Sequence, residues 1–61
     1  MSKYKITFEV YMDDKKKEWV PVEIEAGNKK LAVLRAMQEL GKVEKYKMTY
    51  KNVISVEEVK Q

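Results

Sequence analysis

Apolar and polar residues alternate along the first part of the chain. From Tyr4 to Met12 every second residue is apolar, and polar or charged residues lie between them. A period of two is typical of a β-strand with one buried face. A second alternating run extends from Val20 to Ala26, after the charged segment 13–18. The two runs predict a β-hairpin, and its loop should have three or more residues because the segment lacks the glycine of a tighter turn.

The pairing of the two strands follows from their apolar faces. The register that we expect sets Phe8 opposite Val22 on the buried face and Tyr11 opposite Trp19 on the other, open face. Pro21 has no N–H to donate to a neighbouring strand. The second strand is therefore expected at an edge of the sheet.

A helix is predicted directly after the hairpin. Asn28 is a suitable N-cap, residues 29–40 include many strong helix formers, and Gly41 is a suitable stop. At about 100° per residue the apolar side chains form one stripe that should cover the sheet. The stripe consists of Val33, Leu34, Ala36, Met37 and Leu40, with Leu31 at its margin and partly exposed. We expect Phe8, Ile24 and Met37 to be buried together.

Alternation returns at Lys45 and predicts a third strand. Its buried face should carry Tyr46, Met48 and Tyr50, and its open face Lys45, Lys47 and Lys51. The same register extends through Val56, with a bulge or bend near Asn52. Alternatively, residues 55–58 form a capping box that opens a C-terminal helical turn.

The order of the predicted elements is strand, strand, helix, strand. A right-handed crossover through the helix places the third strand beside the first and antiparallel to it. The sequence therefore predicts an α+β fold: one ββαβ domain over residues 1–61, with a three-stranded antiparallel sheet of order 2-1-3 and one helix packed on one face.

Composition limits the chemistry that this chain can perform. It has 61 residues, 13 Lys or Arg and 10 Asp or Glu, a net charge of +3, and neither cysteine nor histidine. The commonest general bases, thiol nucleophiles and transition-metal ligands are therefore absent, and we predict no catalysis, cofactor or metal. We interpret three carboxylate pairs as solvated charge: Asp13 and Asp14, Glu23 and Glu25, and Glu57 and Glu58.

The sequence also bears on where the protein acts. It has no apolar run long enough for a signal peptide or a membrane helix, which predicts no membrane partner. The absence of cysteine favours a reducing compartment, and we expect a cytoplasmic protein. Because the first strand begins beside Met1, we expect a complete small gene product.

Two surface features are candidate binding sites. Tyr11 and Trp19 lie near the cations Lys15, Lys16 and Lys17, and together they could anchor a protein or stack nucleic-acid bases. The alternative is a cross-strand aromatic pair that only stabilises the hairpin. The second feature is the row of Lys45, Lys47 and Lys51, which could follow phosphates or could simply protect an edge strand from aggregation.

The order of elements resembles that of small phage-encoded inhibitors of host proteins, such as the phage inhibitor of bacterial RNA polymerase. The resemblance covers residues 4–54: an edge strand with Val20-Pro21-Val22, then a lone helix from Asn28 to Leu40 and a final strand. It concerns architecture and carries no functional residue. It implies a non-enzymatic protein, encoded by a phage or mobile element, that occupies a surface of a host macromolecule. The alternative is a nucleic-acid-binding module, and monomer and dimer both stay open.

Overall fold

The computed structural model describes residues 1–13 and 15–60, so that Asp14 and Gln61 lie outside the described residues. The elements in chain order are strands β1 (Ser2–Tyr11) and β2 (Lys17–Ala26), helix α1 (Lys29–Gly41), a short 3₁₀ helix (Glu44–Tyr46) and strand β3 (Tyr50–Val59). The sheet has the order β2-β1-β3, and β1 is antiparallel to both neighbours. The predicted ββαβ architecture is confirmed.

The hairpin register differs from the prediction by two residues. Phe8 lies opposite Val20 rather than Val22, and Trp19 lies opposite Glu9 rather than Tyr11. The cause is the loop, because the hairpin closes between Met12 and Lys16 with a hydrogen bond of 2.8 Å from the Met12 N–H to the Lys16 carbonyl. A shift of two residues keeps every side chain on its predicted face.

Lys15 has a backbone conformation that is unusual for a residue with a side chain. Its φ angle is 66°, and its N–H donates to the Met12 carbonyl at 3.1 Å. A left-handed residue is common where a three-residue loop closes a hairpin, and it costs a non-glycine residue about 1 to 2 kcal/mol. Glycine adopts this conformation without that cost.

We therefore expect Lys15→Gly to stabilise the domain by up to about 1 kcal/mol, after the larger unfolded-state entropy of glycine is subtracted. The measurement is urea unfolding followed by circular dichroism. Lys16→Gly is the matched control, because it removes a neighbouring lysine where φ is not positive. It should lower the stability. A Lys15→Gly variant that is no more stable than Lys16→Gly would contradict the strain argument.

Buried apolar side chains form one core between the sheet and α1. Among the described residues these are Tyr4, Ile6, Phe8, Val10, Ala26, Ala32, Ala36 and Leu40. β1 contributes the large ones, because it is the central strand and is paired on both sides. α1 contributes mainly alanines, which let its axis approach the sheet closely.

The position of α1 corrects the predicted apolar stripe. Ala36 and Leu40 are buried as expected and Val33 is half-buried, but Leu34 and Met37 are exposed. Ala32, which the stripe omitted, is fully buried. The predicted burial of Met37 with Phe8 and Ile24 is thus wrong for Met37, which is 42% exposed, and Ile24 is only half-buried.

The start of α1 is as predicted, and a contact on one flank shows how the helix is turned. The Asn28 side chain accepts a hydrogen bond from the Leu31 N–H at 2.9 Å, which confirms the N-cap. The Arg35 guanidinium donates to the Glu25 carbonyl of β2 at 2.9 Å. This contact holds that flank of α1 over β2, an outer strand of the sheet. The flank that carries Leu34 and Met37 is turned away from it, and Leu31 is partly exposed as expected.

β3 is shorter at its start than predicted, and its faces are reversed there. Lys45 and Tyr46 belong to the 3₁₀ helix, and the strand begins at Tyr50. It continues through Val56 as the extended register required, which rules out the alternative helical turn at 55–58. Thr7 pairs with Ser55 but Phe8 pairs with Val53, so Ile54 is an extra residue in a bulge.

The bulge determines which side chains of β3 are on the open face. Tyr50 lies opposite Tyr11, and Lys51 lies opposite the buried Val10. Residues directly opposite each other in an antiparallel pair share a face. Tyr50 is therefore on the open face and Lys51 on the helix face, the reverse of the prediction.

Candidate functional site

One face of the sheet lies under α1, and no other element in residues 1–13 and 15–60 covers the opposite, open face. β1 runs along the middle of this face with its odd-numbered residues. The rows across β2, β1 and β3 follow from the register. At the hairpin end they are Lys17, Tyr11 and Tyr50, followed by Trp19, Glu9 and Asn52. At the far end they are Glu23, Lys5 and Glu57, followed by Glu25, Lys3 and Val59.

The hairpin end of the open face holds a cluster that we call the aromatic patch: Glu9, Tyr11, Trp19 and Tyr50. The Tyr11 hydroxyl donates to Glu9 Oε1 at 2.9 Å, and Trp19 Nε1 donates to Glu9 Oε2 at 3.3 Å. The rings of Tyr11 and Tyr50 meet edge to face, with centroids 5.5 Å apart. Each of the three strands supplies at least one member, so the patch exists only in the folded sheet.

Exposure divides the patch into a support and a contact surface. Tyr11 and Glu9 are half-buried on the central strand, whereas Trp19 and Tyr50 on the outer strands are 67% and 66% exposed. Tyr11 is held by its hydrogen bond and by the edge-to-face contact. Trp19 and Tyr50 thus expose large apolar surfaces next to Tyr11 and Glu9, whose side chains are held by these contacts.

The lysines predicted beside the aromatic pair differ in position. Lys17 lies on the open face with its Nζ 5.1 Å from the centroid of the Tyr11 ring, within the range of a cation–π contact. Lys15 and Lys16 are exposed and lie in the loop between β1 and β2. The structure therefore places Tyr11, Trp19 and Lys17 at one end of the open face, whereas Lys16 lines a cavity with Met12, Glu18 and Lys45.

The predicted row of Lys45, Lys47 and Lys51 does not form on the open face. Lys45 lies in the 3₁₀ helix, with its Nζ 3.1 Å from Glu18 Oε1. This hydrogen bond and the charge of Glu18 raise the pKa of Lys45, which stays cationic at neutral pH. Lys47 lies outside β3, and Lys51 is on the helix face and donates to the Thr49 carbonyl at 2.9 Å.

The far end of the open face is a mixture of charges. Lys3 and Lys5 lie on β1, and Glu23, Glu25 and Glu57 flank them. Lys3 Nζ approaches Glu23 Oε1 at 3.6 Å. Lysines and carboxylates alternate across the strands here, so this surface has no continuous positive stripe.

Sequence reasoning missed two members of the patch, Glu9 and Tyr50. Glu9 was visible as a polar residue of β1, but its place beside Trp19 depends on the hairpin register. Tyr50 was assigned to the buried face, because only the Ile54 bulge turns it outward. The sequence indicated only a bulge or bend near Asn52, and it gave no signal that the extra residue is Ile54.

Other site types receive no support from the described residues. Within residues 1–13 and 15–60, no three carboxylates come together as a group that could hold a metal ion. The pair of Asp13 and Asp14 lies partly outside the described residues. No helix in the described part of the chain is long and apolar enough to cross a membrane. Comparisons with family models, curated proteins and solved structures found no match for this chain.

Proposed function

We propose that this protein is a non-enzymatic binding protein that occupies a surface of a partner protein through the aromatic patch. The observation that carries the proposal is the pair of exposed rings, Trp19 and Tyr50, fixed around Tyr11 and Glu9 on an uncovered sheet face. Tryptophan and tyrosine are enriched among the residues that dominate binding energy at protein interfaces.

The surroundings of the patch support a protein partner. An interface combines an apolar centre with a polar rim, and the rim contributes more to specificity and association rate than to affinity. Lys17 borders the patch on one side, and the charges of Lys5 and Glu57 lie farther along the same face. The patch with this border matches that arrangement.

The chain composition supports a role without catalysis. The sequence has no histidine and no cysteine, the residues most often used as general bases and thiol nucleophiles. The resemblance to small phage inhibitors is the sole ground for extending the proposal to a bacterial host protein as the partner. The two proteins would then bind in the cytoplasm.

A second candidate function is nucleic-acid binding, which one observation favours. Exposed aromatic rings beside a lysine can stack unpaired bases, and Trp19, Tyr50 and Lys17 have this arrangement. Two features favour the protein partner over a nucleic acid. Glu9 places a negative charge in the patch, and the charges at the far end of the open face alternate in sign. A phosphate contact would be repelled at these positions.

The test is affinity capture from nuclease-treated bacterial lysate, followed by mass spectrometry. The baits are the wild type, the double variant Trp19→Ala/Tyr50→Ala, and Met48→Ala. Met48 is the matched control, because it is an apolar residue 93% exposed outside the patch. For each protein that the wild type retains, we expect the affinity of the double variant to be lower by about tenfold or more. Met48→Ala should bind it as tightly as the wild type does.

Two outcomes contradict the proposal. The first is a partner that the double variant retains as well as the wild type does, with both baits shown to be folded by circular dichroism. The second is binding to random single-stranded DNA that falls steeply with salt and is lost in the double variant, which favours the second candidate function.

A further inference from the structure

The carboxylate of Glu9 has an unusual environment for a surface charge. Both of its oxygens accept hydrogen bonds from neutral donors, the Tyr11 hydroxyl and Trp19 Nε1. Its neighbours across the strands, Trp19 and Asn52, are uncharged. In the described part of the chain no lysine or arginine lies within ion-pair distance of it. Glu9 thus holds a negative charge that the described protein leaves without an ion pair.

Resting on the proposed function, we infer that the aromatic patch binds an arginine side chain of the partner protein. An ionised carboxylate has about four acceptor positions, and the two bonds to Tyr11 and Trp19 leave positions free on both oxygens. A guanidinium group fills two such positions with parallel hydrogen bonds. Its flat faces also stack on aromatic rings, and Trp19 and Tyr50 expose theirs on the two sides of β1.

The protein itself shows that a ring of this patch accepts a cation. Lys17 Nζ lies 5.1 Å from the centroid of the Tyr11 ring. On the open face of β2, Lys17 is the charged residue nearest in register to Glu9, where the arginine would bind. On the other side of Glu9, β3 contributes the neutral residues Tyr50 and Asn52. Lys17 therefore opposes a second cation by charge repulsion, and its removal should strengthen binding of the arginine. A purely structural role of the patch predicts no such gain.

Arginine fits this site better than lysine does. The ammonium of lysine is a compact, strongly hydrated charge that cannot form the two parallel bonds to a carboxylate or stack as a plane. Citrulline has nearly the shape of arginine without its charge. Three short peptides that differ only in this side chain therefore separate charge, shape and stacking.

The experiment titrates acetyl-Gly-Arg-Gly-amide into ¹⁵N-labelled protein, with the citrulline and lysine peptides alongside. The chain has a single tryptophan, so one indole N–H signal reports on Trp19 directly. We expect the arginine peptide to shift this signal with saturation, and the other two to bind about tenfold more weakly. Glu9→Gln should weaken arginine binding about tenfold, and Lys17→Ala should strengthen it. Glu58→Gln, which makes the same charge change on the helix face of β3, is the control that should leave it unchanged.

The contrary results are equally definite. No shift with the arginine peptide, equal binding of the citrulline or lysine peptide, or full binding by Glu9→Gln overturns the inference. If Glu9→Gln does not fold, the comparison of peptides on the wild type decides alone. These failures would leave the proposed function standing wherever the capture experiment shows partners that depend on Trp19 and Tyr50. Partners that bind the double variant fully would remove both.

Discussion

Replacing Phe8 by alanine is expected to leave the domain largely unfolded at room temperature. Phe8 is the largest of the fully buried side chains, and its strand neighbours are Val20 and Val53. Removing a buried phenylalanine costs about 3 to 5 kcal/mol, from lost transfer free energy and the cavity left behind. A domain of this size has a stability on the order of 5 kcal/mol or less. Thermal and urea unfolding followed by circular dichroism measure the loss.

Two further variants show whether the loss comes from burial. Met37→Ala removes a side chain that is 42% exposed, and Trp19→Ala removes one that is 67% exposed. Each should change the stability by about 1 kcal/mol or less, because surface substitutions rarely do more. A folded Phe8→Ala variant beside an unfolded Trp19→Ala variant would mean that the faces of the sheet are assigned the wrong way round.

The second large effect is expected from Ala36→Leu, which adds apolar volume at the interface of α1 with the sheet. Ala36 is fully buried. Three added carbon atoms find no space there, and overpacking of this kind typically costs about 1 to 3 kcal/mol. Leucine is nearly as good a helix former as alanine, so helix propensity contributes little to the loss. The measurement is again the free energy of unfolding in urea.

Gln38→Leu is the matched control for this prediction. Gln38 is an exposed residue of the same helix, so leucine there adds the same residue type without crowding the sheet. We expect its stability to stay within about 0.5 kcal/mol of the wild type. An Ala36→Leu variant as stable as Gln38→Leu would show that the helix does not approach the sheet through its alanines.

The apolar pattern was a good guide to the elements and to the buried face of the hairpin, but a poor guide to the covered side of α1 and of the start of β3. For α1, the angular stripe included Leu34 and Met37 because both are apolar, yet the helix packs through Ala32 and Ala36. The large side chains of β1 already fill the space between the layers, so the helix presents its small ones. Which apolar residues of a helix are buried depends on the volume supplied by the facing sheet, and that volume is no property of the helix sequence.

The aromatic patch shows the same division. Trp19 and Tyr11 were predicted on the open face and are found there, because that placement needs only the alternation within each strand. Their supposed direct pairing was wrong, since the hairpin closes between Met12 and Lys16 and moves Trp19 beside Glu9. The patch was therefore half visible in the sequence, and its carboxylate and second exposed ring were not.

By itself the sequence determined the ββαβ order, the edge position of the Pro21 strand, the helix start at Asn28 and the buried face of β1. These follow from local rules: a period of two, a missing N–H donor, a capping side chain. The tertiary structure decided the hairpin register, the bulge at Ile54, and with them the outward turn of Tyr50 and the loss of the lysine row. The loop geometry sets the hairpin register, and the bulge depends on pairing between strands distant in sequence, so a pattern within one strand contains neither of them.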